Sequence, residues 1–236
     1  MLFFTREKKE RMTVKRIGMI TIGQAPRPDV APIVEKYLAG RAELVQAGVL
    51  DGMTKQEVEE RLSPGPGEYV LTSRMVNGDA AVMSREKIQP ILQRKIEDME
   101  NSGIQTILLL CTGVFPGLSA KKAFLIEPDY VIPPTVAAMV KGSRLGVLVP
   151  LVEQKEALKD KYHPHGLFPV FAAASPYKND VESFREACAE LKEKADIVLL
   201  DCMGYTEEAR ELVSDLTGLP VILSNAMMAK LVSEMI

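Results

Sequence analysis

From residue 16 onward, short apolar runs alternate with amphipathic stretches. Ile17-Gly-Met-Ile-Thr-Ile22, closed by Gly23, predicts a buried strand. Pro26 and Pro28 open a helix with apolar positions Val30, Ile33, Val34, Tyr37 and Leu38, stopped by Gly40. A strand over 42–49 follows, then a short helix in which Thr54 and Glu57 form a capping box. Turn chemistry at Ser63-Pro-Gly-Pro-Gly67 precedes two extended pieces, 68–72 and 80–83, joined at Asn77-Gly78 as in a hairpin. Ser84 caps a longer helix to about Asn101, and 105–110 is a fully apolar strand ending at Cys111. Helices are then expected over 119–124, from Pro133-Pro134 to near Gly142, and over 153–161, 180–194, 207–216 and 225–235. Strands are expected over 144–149, 168–172, 197–201 and 221–223. Such alternation predicts parallel sheets covered by helices on both faces.

The pattern also repeats faintly. Arg16-Ile-Gly-Met-Ile-Thr21 matches Arg144-Leu-Gly-Val-Leu-Val149. With a one-residue slip, Leu109-Leu-Cys-Thr-Gly113 matches Leu199-Leu-Asp-Cys-Met-Gly204, which aligns Cys111 with Cys202 and Gly113 with Gly204. The first half is the longer: 94 residues separate Ile17 from Cys111, against 57 from Leu145 to Cys202. The hairpin region holds most of the excess. The fold class read from this is α/β, with two Rossmann-like lobes related by a pseudo-twofold and a ligand cleft between them. Residues 13–118 with 224–236 are assigned to the first lobe and 119–223 to the second.

Composition narrows the class. At 47% hydrophobic and 26% charged residues the chain can build a substantial core. The net charge of −3, with both signs interspersed, gives no basic footprint, so no nucleic-acid partner is expected. No apolar run is long enough for a membrane span. Three cysteines make a poor disulfide framework and suggest reduced thiols, hence a cytoplasmic location. Residues 1–12 read as a flexible arm, with Met12 as an alternative start.

In open α/β sheets, ligands bind at the carboxyl ends of the strands, where both Cys111 and Cys202 fall. Two lobes related by a twofold would bring these thiols to opposite sides of one cleft. One thiolate can remove a proton beside a carboxylate, and the other thiol can return one from the far face. The enediolate between needs N–H or hydroxyl donors, for which Thr112, Gly113, Ser224 and Asn225 are candidates. Arg27 and Arg85 are candidate carboxylate clamps, and Thr21 and Gln24 candidate rim donors. Asp201 precedes Cys202 on its strand, so its side chain should point the other way. Cys188, with Phe184 and Leu191 at helical spacing, reads as core. His163 and His165 lack further ligands at metal-binding spacing, so no metal is expected. Neither G-x-G-x-x-G nor a P-loop is present, which argues against nicotinamide or ATP use.

Several segments together resemble the AroM family: Thr21-Ile-Gly-Gln-Ala-Pro-Arg-Pro-Asp29, the Ser84-Arg85 helix start, Leu125-Ile-Glu-Pro128 with Pro133-Pro134, Asp201-Cys-Met-Gly-Tyr205 and Val221-Ile-Leu-Ser-Asn225. That family is similar to the aspartate/glutamate racemase superfamily, with its hydantoin racemases, maleate isomerases and arylmalonate decarboxylases. The resemblance implies two lobes, an intervening cleft, cysteine chemistry and no cofactor. Where the amino-acid racemases carry C-N-T and G-C-T-H, this chain has Cys111-Thr-Gly and Asp201-Cys-Met-Gly. The expected activity is cofactor-independent racemisation, isomerisation or decarboxylation of a small carboxylic acid through Cys111 and Cys202. Thr21, Gly23, Gln24, Arg27, Ser84, Arg85, Thr112, Gly113, Gly204, Ser224 and Asn225 are the expected substrate contacts. The alternative is a small-carboxylate-binding protein without catalysis. A homodimer is compatible with either.

Overall fold

The computed structural model describes residues 15–178 and 180–236; the expected arm, 1–12, lies outside them. Two four-stranded parallel sheets organise the chain. In the first, β1 (Lys15–Thr21) lies between β2 (Ala42–Gly48) and β5 (Thr106–Leu110), with β6 (Phe124–Ile126) outside β5. In the second, β7 (Leu145–Val149) lies between β8 (Val170–Ala173) and β9 (Ile197–Leu200), with β10 (Val221–Leu223) outside β9. The strand orders β2-β1-β5-β6 and β8-β7-β9-β10 are the same path walked twice.

The repeated Arg-x-Gly at the start of β1 and β7 has the same job in both halves. Arg16 donates to the Ser102 carbonyl before β5, and Arg144 pairs with Asp196 before β9 at 2.7 Å. Gly18 and Gly146 admit the covering helix. A Cβ on Gly18 would meet Met99 Sδ at 2.5 Å, and one on Gly146 would meet Leu191 and Ala195 at 3.0 Å. Met99 closes α3 (Arg85–Asn101), and Leu191 belongs to α7 (Val181–Lys194).

Strand residues alternate between two cores, the central strands β1, β5, β7 and β9 being buried on both faces. Ile17, Met19, Leu108 and Leu110 of the first sheet meet Leu145, Val147, Val149 and Leu199 of the second in one inner core. The helices α1 (Ala31–Leu38), α4 (Pro128–Val140) and α9 (Ser224–Ser233) pack into it, as does Tyr162. Each fully buried Leu or Val contributes about 1.5–3 kcal/mol, so this shared layer holds the lobes together. On the outer face of the first sheet, Ile20, Ile107 and Leu109 pack on α3, on α2 (Lys55–Leu62) and on the hairpin β3 (Val70–Arg74) and β4 (Ala80–Ser84). The outer face of the second sheet packs on α7 and α8 (Glu207–Thr217); Cys188 sits in that core.

Three local expectations differ from the fold. Residues 119–124 are not helical; they run through bends into β6. Glu100 of α3 accepts the backbone N–H groups of Lys121, Lys122 and Ala123, which draws the chain off a helical path. Because β6 pairs with β5, the first sheet extends past residue 118 to Ile126. Helix α4 begins at Pro128 rather than Pro133, and Pro133-Pro134 lie inside it. The expected 153–161 helix is two short pieces, α5 (Gln154–Ala157) and α6 (Lys159–Tyr162). Among the described residues, no helix is long and apolar enough to cross a membrane.

Candidate active site

The carboxyl ends of β1, β5, β7 and β9 and the hairpin strand β3 enclose a narrow cleft of about 20 Å³. Cys111, Thr112 and Gly113 line it from the first lobe, and Asp201, Cys202 and Met203 from the second. Cys111 is 8% exposed and Cys202 9%. Each sulfur accepts the backbone N–H of the glycine two residues on, Gly113 for Cys111 and Gly204 for Cys202, in both cases at 3.3 Å. The slipped alignment of the two cysteine segments is therefore a geometric equivalence. No helix directly follows Cys111, so the donor there is this single turn N–H rather than a helix end. Burial pushes the Cys111 thiol up to about 12, with the Gly113 N–H pulling the other way. Burial also raises Cys202, opposed by the Tyr177 hydroxyl, the Gly204 N–H and the Arg27 charge.

A buried ion pair ties the two cysteine loops together. Lys161 Nζ donates to both Asp201 carboxylate oxygens at 2.8 and 2.9 Å and to the Thr112 carbonyl at 2.8 Å. Tyr162 O–H donates to the same carboxylate at 2.8 Å, and Thr112 Oγ1 donates to the Asp201 carbonyl at 3.2 Å. The Asp201 side chain thus turns to the inner core, as strand alternation requires.

The other expected contacts stand behind the cleft or apart from it. Ser224 Oγ donates to the Leu200 carbonyl at 2.6 Å, and Asn225 Nδ2 to the carbonyls of Met203 and Tyr205 at 3.1 and 2.7 Å. Both residues are fully buried, and they brace the Cys202 loop instead of facing a ligand. Arg27 is 2% exposed; its guanidinium binds Asp29 twice, at 2.9 and 2.7 Å, and Thr21 Oγ1 at 3.1 Å. A guanidinium spent in this way is not an open clamp. Thr21 also accepts the Gly23 N–H, so it is a bracket and not a rim donor. Gln24 is consumed by the hairpin and its neighbour loop, donating to the Leu50 and Met53 carbonyls and accepting from the Val76 N–H. Gly23 lets the hairpin approach: a Cβ there would overlap the Arg74 carbonyl and meet Ser73 Oγ at 2.5 Å. Ser84 is the N-cap of α3. Arg85 lies over the Tyr69 ring at 4.6 Å and pairs with Glu86 at 2.7 Å, so it reaches the cleft only through Tyr69.

Sequence reading missed the residues that complete the lining: Tyr69, Thr72 and Ser73 near and on the hairpin, Gln154 on α5, and Tyr177 after β8. Tyr177 O–H lies 3.5 Å from Cys202 Sγ. The usable signals were the 68–83 insertion in the half carrying Cys111 and the Ser175-Pro-Tyr177 turn at a strand's carboxyl end. Nothing singled out Lys161, which sits in a lysine-rich stretch that reads as surface. Among the described residues no group of three or more His, Cys, Asp or Glu side chains is placed to hold a metal ion.

No curated protein sequence matches this chain. Solved structures share its fold. Allantoin racemase from Klebsiella pneumoniae superposes with a TM-score of 0.61 at 15% identity, over 94% of this chain and 87% of that one. Glutamate racemase from Thermus thermophilus, in complex with β-chloro-D-alanine, gives 0.62 at 13% identity, over 94% and 80%. The maleate isomerase Iso from Pseudomonas putida S16 gives 0.56 at 13% identity, over 92% of each chain. At these identities the likeness is one of two-lobed fold. The family described as AroM protein matches residues 17–236, a span that takes in both sheets and both cleft cysteines, and the chain belongs to that family.

Proposed function

We propose that the protein is a cofactor-independent enzyme that moves a proton at, or a carboxyl group from, the α-carbon of a small carboxylic acid, using Cys111 and Cys202. The observation that carries this reading is the pair of sulfurs, presented from equivalent strand ends to one cleft, each held by an equivalent glycine N–H. The fold shared with racemases and an isomerase supports it.

The chemistry follows from the lining. One sulfur, as thiolate, takes the α-proton, and the electron pair moves into the carboxylate to give an enediolate. The other, as thiol, returns a proton to the opposite face. Among the described residues no lysine or arginine lines the cleft, and Asp201 is neutralised by Lys161. The substrate carboxylate is therefore met by neutral donors. Ser73 lines the cleft, and its hydroxyl is the donor proposed for the substrate carboxylate. Thr72 Oγ1 is engaged as a donor to the Ala81 carbonyl and is left as an acceptor. Such fixed dipoles in a water-poor site act strongly on developing charge.

The test is a panel of small 2-substituted carboxylic acids in deuterium oxide, followed by proton NMR at the α-carbon. Wild type should exchange or convert at least one acid, and Cys111→Ser and Cys202→Ser should each lose that activity. Thermal shift on the same panel completes the test. Stabilisation by an acid, with no exchange or conversion of any, would make the protein a carboxylate-binding module instead.

A further inference from the structure

The two thiols have matched scaffolds and unmatched company. Gly113 and Gly204 each leave room for a neighbouring side chain to press against the cysteine turn. A Cβ on Gly113 would meet Leu71 Cδ2 at 2.7 Å, whereas one on Gly204 would overlap the Tyr177 hydroxyl and meet its ring carbons at 2.6 Å. The position filled by a methyl group beside Cys111 is thus filled by a phenol beside Cys202. The phenol oxygen is 3.5 Å from Cys202 Sγ. Arg27, held by Asp29 and Thr21, lies 5.8 Å from the Tyr177 ring centroid and adds positive charge on that side.

Resting on the acid–base reading above, we infer that Tyr177 is a positioning residue that divides the work between the thiols. Its hydroxyl, admitted by Gly204, makes Cys202 the more readily ionised thiol and so the proton acceptor, while Cys111, against Leu71, is the proton donor. The groups around Cys202 are Tyr177, Arg27, Asp201 and Tyr205. Around Cys111 they are Lys161, Asp129, Tyr69, Tyr177 and Cys202. Cys202 accepts two hydrogen bonds when ionised, from Tyr177 and Gly204; Cys111 accepts one, from Gly113. Hydrogen bonds to a charged acceptor are the stronger kind.

The proton balance is closed. The α-carbon's C–H bond breaks as Cys202 S–H forms, and Cys111 S–H breaks as a new C–H bond forms on the other face. The enzyme is left with Cys202 as thiol and Cys111 as thiolate, and it resets by the reverse reaction or by proton exchange with water. In the resting state it favours the isomer whose α-hydrogen faces Cys202.

The experiment is the pH dependence of iodoacetamide alkylation, read at each cysteine by peptide mass spectrometry, in wild type, Tyr177→Phe and Gly204→Ala. Cys202 in wild type should titrate at least one pH unit below Cys111. Tyr177→Phe should raise the Cys202 midpoint by about one unit, a tenfold loss of thiolate at fixed pH, and leave Cys111 in place. Gly204→Ala, which excludes the phenol, should match it. Circular dichroism melts check that each variant is folded, and Tyr177→Phe, which keeps the ring, carries the test if Gly204→Ala does not fold. Equal midpoints for the two cysteines, a lower one for Cys111, or an unmoved Cys202 in Tyr177→Phe overturns the inference. The titration needs no substrate, so its failure is separable from failure of the proposed activity. The predicted midpoints without turnover of any acid overturn only the activity, and turnover with equal midpoints overturns only the role of Tyr177.

Discussion

Lys161→Met is the sharpest structural perturbation. The ammonium makes three hydrogen bonds, to both oxygens of Asp201 and to the Thr112 carbonyl, and the pair's side chains are 2% and 0% exposed. Methionine fills similar volume but leaves Asp201 buried with only the Tyr162 hydroxyl as its side-chain partner. Breaking a buried pair from one side costs about 3–5 kcal/mol, because an uncompensated charge remains. Against a typical total of about 5–15 kcal/mol this is a large fraction. With a urea slope of about 3 kcal/mol/M, the unfolding midpoint should fall by about 1–1.7 M. Adding Asp201→Asn removes the stranded charge, so the double variant should recover about 2 kcal/mol relative to Lys161→Met. Urea unfolding followed by circular dichroism measures both. A loss below about 1 kcal/mol in the single variant, or no recovery in the double, refutes the claim that this pair clamps the two cysteine loops.

Two further outcomes follow from geometry and titration. Gly23→Ala would force the hairpin off β1, since the new methyl meets backbone at Arg74 and the Ser73 hydroxyl; a loss of about 1–3 kcal/mol is expected in urea unfolding, and a value near zero would mean the hairpin is not seated there. Glu127 is raised by burial and by Asp129 from 4.5 to about 7, so the folded state holds its proton more tightly than the unfolded chain. That contribution is fully present below about pH 4.5 and is lost as pH rises through about 7. Glu127→Gln should therefore be more stable than wild type above pH 7, with the advantage fading towards pH 4.5, in melts across that range; an advantage that is flat with pH would rule out this titration.

Most of the fold is legible in the chain because local signals agree with tertiary demands. The capping box at Thr54 and Glu57, the Ser84 cap and the Asn77-Gly78 hairpin all appear where their residues place them. The segment 119–124 failed because its fate is set by Glu100, a carboxylate on another element. Pro133-Pro134 misled because proline inside a helix is disfavoured enough to read as a start. The two cleft cysteines were found because the strand ends repeat. The polar residues nearest them were not. Arg27, Gln24, Ser224 and Asn225 have the chemistry of ligand contacts, yet each is spent on a partner that sequence spacing does not disclose. Tyr177 and Lys161 come from a turn and a one-turn helix, too short for periodicity to show which way their side chains point.

The claim on which the functional account stands is that Cys111 and Cys202 open onto one space. Dibromobimane, a short bifunctional thiol reagent, tests it directly: the native protein should yield a bridged peptide joining Cys111 to Cys202, with the core thiol Cys188 unmodified. Separate single adducts on the two cysteines, with no bridged product, would contradict the account.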